Sequence, residues 1–142
     1  MSKASTDRTQ ESFYGEVIST YTRAQAIEDG VLVDAGSIAL EAGFTGPVAL
    51  TSAVWADCVA WSDGDSQKQV HQDQSARLWD ALYMAAYAVR TSTGSGDRLL
   101  YELYRVPRDG HSTEAQPVTL KLIIGPGDHG EPVMTILLVN ED

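Results

Sequence analysis

The last third of the chain alternates apolar and polar residues at the period of a β-strand, and no other feature limits the fold as strongly. In RLLYELYRVP, residues 98–107, one predicted face carries Leu99, Tyr101, Leu103 and Arg105. PVTLKLII (117–124) and PVMTILLV (132–139) predict two further strands, and GPGDHGE (125–131) predicts a hairpin loop between them. The sequence therefore predicts a three-stranded antiparallel meander at its C-terminal end.

The first two thirds of the chain carry the spacing of helices instead. The longest predicted helix covers about residues 73–90, and its apolar stripe consists of Leu78, Leu82, Ala85 and Val89, widened by Trp79, Tyr83 and Ala86. AVWADCVAW (53–61) predicts a shorter helix, on which Cys58 is interpreted as a small buried hydrophobe. SDGDSQKQVHQDQ (62–74) predicts a polar connection between these two helices.

The stretch YTRAQAIEDGVLVD, residues 21–34, predicts a short helix between two extended segments. Thr22 is placed to cap the helix, with Gln25 three residues later as its capping-box partner. Gly30 suits the position after the helix end, where a left-handed conformation is needed. Asp34 is predicted to cap the next helix, AGSIALEA (35–42).

These patterns predict one fold class and one domain. The 142 residues suit a single hydrophobic core, and the apolar content of 43 % favours a folded chain. We expect an α+β fold in which helices from the first two thirds pack on a mainly antiparallel sheet that ends in the meander. Strands near Val17 and Val48 are expected to join or flank this sheet. Residues 1–15 are predicted to be a flexible tail, and residues 16–142 the single domain.

The chain carries 20 acidic and 10 basic residues, a formal charge of −10 at pH 7. This charge disfavours direct binding to nucleic acid, whose phosphates require Lys and Arg, and favours basic proteins as partners. Solubility alone is a simpler interpretation of the same charge. No apolar run approaches the ~18–20 residues that span a bilayer, and the polar N-terminus lacks the features of a secretory signal. The single cysteine excludes an internal disulfide, which fits a cytoplasmic location.

Motifs for metal binding and hydrolysis are weak. The three histidines, His71, His111 and His129, lack the i, i+4 partner of a helical metal pair. GDHGE places Asp128, His129 and Glu131 in one tight loop, which suits either a metal or an ordinary polar hairpin tip. The chain contains neither a Walker loop nor the G-x-S-x-G motif.

The stretch at residues 21–34, with GPVALTSAVWADCVA (46–60) and GDHGEPVMTILL (127–138), resembles the motifs of compact ADP-ribosyltransferases. The resemblance implies that Tyr21 and Thr22 contact NAD on the nicotinamide ribose side, and that Thr51 or Ser52 supports the wall of the site. It also implies that Glu131 orients the ribose hydroxyl and stabilises the oxocarbenium-like charge as nicotinamide leaves. Without that activity, Tyr21 and Thr22 end a strand and cap a helix, and Glu131 solvates a hairpin.

A broader resemblance covers the chain from about Val17 to the C-terminus, through VISTYTRAQAIEDGVLVD, GPVALTSAVWADCVAW, RLWDALYMAAYAVR, LLYELYRVPRDG and VTLKLIIGPGDHGEPVMTILL. These segments are similar to a family of small acidic proteins of unknown function that are encoded on bacterial plasmids, integrative elements and phages. The resemblance implies an accessory role in a mobile element. It assigns no activity and no site residues.

The favoured hypothesis from the sequence is a non-enzymatic protein without a cofactor that binds a basic surface of a protein partner. A counter-defence role of the anti-CRISPR or anti-restriction type fits this hypothesis. The candidate partner-binding residues are Asp63, Asp65, Asp128 and Glu131. The alternatives are the NAD-using enzyme and a regulatory module that forms a homodimer through an exposed strand edge, for which PVMTILLV is the candidate because it is apolar on both faces.

Overall fold

The computed structural model describes residues 21–94 and 96–141. The predicted tail over residues 1–15 and the predicted strand near Val17 lie outside the described residues. The described helices are α1 (Arg23–Glu28), α2 (Ser37–Ala42), α3 (Ser52–Val54) with a π-helical turn (Trp55–Val59), α4 (Asp63–Lys68) and α5 (Gln74–Thr91). The described strands are β1 (Leu32–Asp34), β2 (Val48–Thr51), β3 (Arg98–Arg105), β4 (Gln116–Pro126) and β5 (Pro132–Leu138).

The five strands form one mixed sheet in the order β1-β2-β5-β4-β3. Strands β3, β4 and β5 are antiparallel neighbours, so the predicted meander and the α+β class are confirmed. Strand β2 contains Val48 and pairs in parallel with β5. This segment therefore joins the sheet, as expected. Because β5 lies between β2 and β4, PVMTILLV is not a sheet edge, and the edge strands are β1 and β3.

Helix α1 forms the predicted corner before β1. The side chain of Thr22 accepts a hydrogen bond from the Gln25 N–H, and the Gln25 side chain accepts one from the Thr22 N–H, which completes the capping box. Gly30 follows the helix at a φ of +79°, a conformation that glycine adopts without steric cost. The prediction that Asp34 caps α2 is wrong. Asp34 ends β1 and accepts from the Gly36 N–H, and Gly36 takes the N-cap position.

Helix α5 confirms the longest predicted helix almost to the residue, and Asp73 caps it by accepting a hydrogen bond from the Ala76 N–H. Leu78, Leu82, Ala85 and Ala86 are buried in the core as predicted. The assignment of Trp79 and Tyr83 to the core stripe is wrong. Their side chains lie outside the core, and their rings stack with centroids 5.8 Å apart.

The segment between β2 and α5 departs most from the prediction. The regular helix expected over 53–61 is replaced by one turn of α3 and the π-helical turn, and Trp61 lies beyond both. Cys58 is buried as predicted, and burial raises the pKa of its thiol to about 12. The predicted polar connection contains α4, whose N-cap Ser62 forms a capping box with Asp65.

The core lies between the sheet and the layer formed by α2, the π-helical turn and α5. Its largest fully buried side chains are Val48, Leu50, Val54, Cys58, Val59, Leu82, Leu120, Leu122 and Ile136. Tyr101 of β3 donates a hydrogen bond from its hydroxyl to the Ala81 carbonyl, 3.2 Å away, and so fixes α5 against this edge of the sheet. Within the described residues, no helix has the length and apolar character needed to cross a membrane.

Candidate functional site

The side chains of Tyr21 and Thr22 form hydrogen bonds at the two ends of α1. The Tyr21 hydroxyl donates to the Asp29 carboxylate at 2.9 Å, and Thr22 is held in the capping box. Asp128 accepts hydrogen bonds from the Arg23 and Ala24 N–H groups, at 2.8 Å and 3.1 Å. These two bonds hold the pKa of the Asp128 carboxyl below its ordinary value. They also tie α1 to the loop between β4 and β5.

Glu131 lies in the same loop, and its carboxylate accepts a hydrogen bond from the His129 N–H at 2.9 Å. A cleft of about 170 Å³ lies between this loop and α1, beside the Asp128 hydrogen bonds. Its charged lining consists of Arg23, Asp34, Asp128 and Glu131. The Arg23 guanidinium is already engaged, because it donates to the Thr135 hydroxyl and to the Met134 carbonyl. The cleft is therefore small and mainly acidic.

Thr51 lies at the other end of the sheet from Glu131. Its hydroxyl donates to the Glu141 carboxylate at 2.7 Å and accepts from the Val54 N–H at 3.2 Å. The parallel pairing of β2 with β5 places Thr51 level with Leu137, six residues beyond Glu131. At roughly 3.3 Å per residue, the two are about 20 Å apart. The structure does not bring Tyr21, Thr51 and Glu131 together in one pocket.

The four candidate partner-binding carboxylates also divide between two ends of the sheet. Asp63 and Asp65 are on α4. Arg108 follows the end of β3, and its guanidinium lies 2.7 Å from the Asp65 carboxylate. Asp128 and Glu131 follow the far end of β4, whose 11 residues correspond to about 35 Å at ~3.4 Å per residue. These acids do not form one cluster. No group of three His, Cys, Asp or Glu side chains in the described part of the chain is placed to hold a metal ion.

A groove of about 510 Å³ lies between α5 and β3, and we call it the α5–β3 groove. One face of α5 forms its wall, at the spacing i, i+3, i+4, i+7, i+8 and i+11: Asp80, Tyr83, Met84, Tyr87, Ala88 and Thr91. Residues 100–104 of β3 form its opposite side. Tyr83 and Tyr87 remain 43 % and 48 % exposed, so this helix face is aromatic and no element within residues 21–94 and 96–141 covers it.

The backbone of β3 is open towards this groove. The Asp97 backbone carbonyl accepts a hydrogen bond from the Ile124 N–H at 2.8 Å. This bond fixes which residues of β3 bond to β4, because alternate residues of an antiparallel strand face the partner strand. By that alternation Leu99, Tyr101, Leu103 and Arg105 bond to β4. The N–H and C=O groups of Leu100, Glu102 and Tyr104 consequently point away from the sheet. Nothing among the described residues pairs with this edge.

Charge in the groove is mainly negative. Asp80 lies on the helix wall and Glu102 on the strand, and burial raises the pKa of the Asp80 carboxyl. The Arg90 guanidinium lies 5.8 Å from the ring centroid of Tyr83 and 5.9 Å from that of Tyr87, so these tyrosine faces already interact with one cation. The groove therefore combines aromatic rings, carboxylates and unpaired backbone groups, an arrangement that suits an extended basic segment.

Sequence reasoning missed this site, although one signal for it was present. Of the three residues predicted to widen the core stripe of α5, Ala86 is buried and Tyr83 lines the groove. Helical spacing alone does not separate a row that faces the sheet from a row that passes its edge. The alternation of the strand places Leu100, Glu102 and Tyr104 on the face opposite Leu99, Tyr101 and Leu103, but the pattern does not show which strand ends the sheet.

Comparison with known proteins gives one family and no characterised relative. No curated protein and no solved structure matches the chain. The model of the family of unknown function DUF6573 matches residues 11–142, which is nearly the whole chain. The protein therefore belongs to the DUF6573 family.

Proposed function

We propose that this protein is a non-enzymatic binding factor whose acidic surface engages a basic region of another protein. The observation that carries the proposal is that most of its described lysine and arginine side chains are hydrogen-bonded within the fold. Of the eight lysines and arginines among the described residues, five donate hydrogen bonds within the fold: Arg23, Arg77, Arg105, Arg108 and Lys121. The described residues include 16 Asp and Glu, so the charge left for a partner is negative.

The geometry favours binding over catalysis. Two of the residues that the enzyme hypothesis requires, Thr51 and Glu131, are about 20 Å apart along the sheet, as worked out above from the strand spacing. The α5–β3 groove contains aromatic and acidic side chains, but neither a histidine nor a cysteine lines it. Surfaces rich in tyrosine are typical of protein recognition.

We further propose that the protein serves a mobile genetic element by blocking a host defence complex. The support for this finer proposal is the resemblance to proteins of plasmids, integrative elements and phages, together with the negative charge. Defence complexes that act on DNA carry basic channels, because they neutralise phosphates, and an acidic protein can occupy such a channel.

Affinity capture from a bacterial host lysate tests the binding role. The full-length protein is used as bait at about 50 mM and 500 mM salt, and a matched bait carries Asp63→Asn, Glu41→Gln and Glu28→Gln at exposed positions. We expect basic proteins to bind the natural chain at low salt and to be lost at high salt, since the distance beyond which exposed charges are screened falls from about 14 Å to about 4 Å over that range. Capture of the same proteins by both baits, independent of salt, would contradict the role.

A phage plating assay tests the counter-defence role. The protein is expressed in strains with and without an active CRISPR or restriction system. We expect phage plating to recover only in the strain that carries the defence system. Equal plating in both strains, across the defence systems examined, would refute the finer proposal and leave the binding role to be judged by the capture experiment.

A further inference from the structure

We propose that the α5–β3 groove receives an extended segment of the partner protein, with alternating apolar and basic residues, as a sixth strand antiparallel to β3. This inference rests on the proposed binding function and assigns that function a site and a mode. Addition of a strand to an open sheet edge is a common mode of peptide recognition, in which main-chain hydrogen bonds supply affinity and side-chain pockets supply specificity.

The free edge supplies the main-chain part of this recognition. The N–H and C=O groups of Leu100, Glu102 and Tyr104 point away from β4, as the ladder alternation requires. Strand β3 has eight residues, a length that natural edge strands rarely leave uncovered. The other edge, β1, has only three residues, so β3 offers the longer template.

The wall formed by α5 selects apolar side chains on one face of the added strand. Tyr83, Met84 and Tyr87 lie over the space beside β3, on the same side of the sheet as the core. A strand that pairs with β3 directs every second side chain towards this wall, because side chains alternate across a strand. Apolar residues at those positions would cover the exposed tyrosine rings.

The opposite face of the added strand meets acidic charge. In antiparallel pairing, the residue opposite Glu102 exchanges main-chain hydrogen bonds with it, and the two side chains lie on the same face of the sheet. A Lys or Arg at that position pairs with the Glu102 carboxylate on the face of the sheet away from α5. Asp80 lies on the α5 wall and adds negative charge on the other side of the added strand. A second copy of this chain fits less well, because it also carries a charge of −10.

The test uses a fluorescein-labelled acetyl-(Val-Lys)4-amide peptide and the full-length protein, with binding measured by fluorescence anisotropy. Two matched peptides have the same charge, but one carries N-methyl groups on its lysines and the other on its valines. Antiparallel pairing requires the lysine N–H groups, whereas the valine N–H groups point to solvent. We expect N-methylation of the lysines to weaken binding at least tenfold and N-methylation of the valines to leave it nearly unchanged.

Two protein variants locate the site. Glu102→Lys should weaken binding of the unmethylated peptide by about 3- to 10-fold, because it replaces an attractive cross-strand pair with a repulsive one. Glu41→Lys makes the same change in charge at an exposed position of α2, outside the groove, and should have a smaller effect. Equal weakening by the two variants would overturn the assignment of the groove.

The remaining outcomes separate this inference from the proposed function. Equal, salt-sensitive binding of all three peptides would refute strand addition while leaving a general acidic binding role in place. No binding of any lysine peptide would contradict both. A dimer in light scattering that Glu102→Lys dissociates would show that a second copy occupies the edge. Tighter peptide binding after deletion of residues 1–20 would show that the chain's own N-terminal segment occupies it. Either result would overturn the proposal.

Discussion

Arg77 offers the strongest test of the packing beneath the candidate site. Its side chain is only 5 % exposed and belongs to α5. The guanidinium donates to the Val59 carbonyl at 3.1 Å and to the Val106 carbonyl at 3.0 Å, and it lies 4.5 Å from the centroid of the Trp61 ring. One residue thereby connects the π-helical turn, α5 and the segment that follows β3.

The cost of Arg77→Ala follows from these contacts. Two buried carbonyls lose their donor, at about 1–3 kcal/mol each, and the cation–π contact with Trp61 adds about 0.5–2 kcal/mol. Release of a buried charge to solvent offsets part of this loss. We expect the free energy of unfolding to fall by about 3–5 kcal/mol, a large part of the 5–15 kcal/mol typical of a domain.

Urea denaturation followed by tryptophan fluorescence measures this loss, and Trp61 is a reporter at the site itself. Arg108→Ala is the matched control, because Arg108 forms an ion pair with Asp65 near the surface, and exposed pairs contribute only about 0–1 kcal/mol. Equal unfolding midpoints for Arg77→Ala and the natural protein would refute the account of Arg77 as a buried hydrogen-bonding centre.

Three further predictions follow from the described contacts. Leu82→Ala should lower the free energy of unfolding by about 2–5 kcal/mol because it leaves a closed cavity, whereas Trp79→Ala should cost less because its site opens to solvent; urea denaturation of both variants checks the order. The pKa of the Asp128 carboxyl is lowered, so its contribution to stability is present above the ordinary carboxyl pKa and is lost as the pH falls through the lowered value. Asp128→Asn should therefore flatten that part of the curve of unfolding free energy against pH. An unchanged curve would contradict the role of Asp128 in binding the N–H groups of α1. Calorimetry with millimolar NAD should show no binding, because Thr51 and Glu131 do not share a pocket; release of nicotinamide that Glu131→Gln abolishes would restore the enzyme hypothesis.

Local sequence patterns predicted the elements that local physics determines. Thr22 and Gln25 form the expected capping box, because both partners lie within one turn of the chain. The alternation in β3 placed Tyr101 and Leu103 on the same face, and both are buried, since a strand that is covered on one face must alternate. Helix α5 was equally clear, because 18 residues of helical spacing leave little ambiguity.

The elements that depend on distant contacts were missed. The π-helical turn has no local signature, and its end is held by Arg77, which comes 18 residues after Val59. Asp34 has the side chain of a helix cap, but pairing with Ala49 keeps it in β1. The α5–β3 groove was hidden for the same reason, because it exists only where a helix passes the last strand of a sheet whose order the sequence does not specify.

The central claim is that the open edge of β3 receives a strand, and hydrogen exchange at its amides tests this most directly. In the free protein, the N–H groups of Leu100, Glu102 and Tyr104 should exchange faster than those of their neighbours Leu99, Tyr101 and Leu103, which bond to β4. Addition of the valine–lysine peptide, or of a captured partner, should slow exchange at the first three residues and leave the other three unchanged. Protection confined to α4 or to the loop between β4 and β5, with no change along β3, would contradict the account.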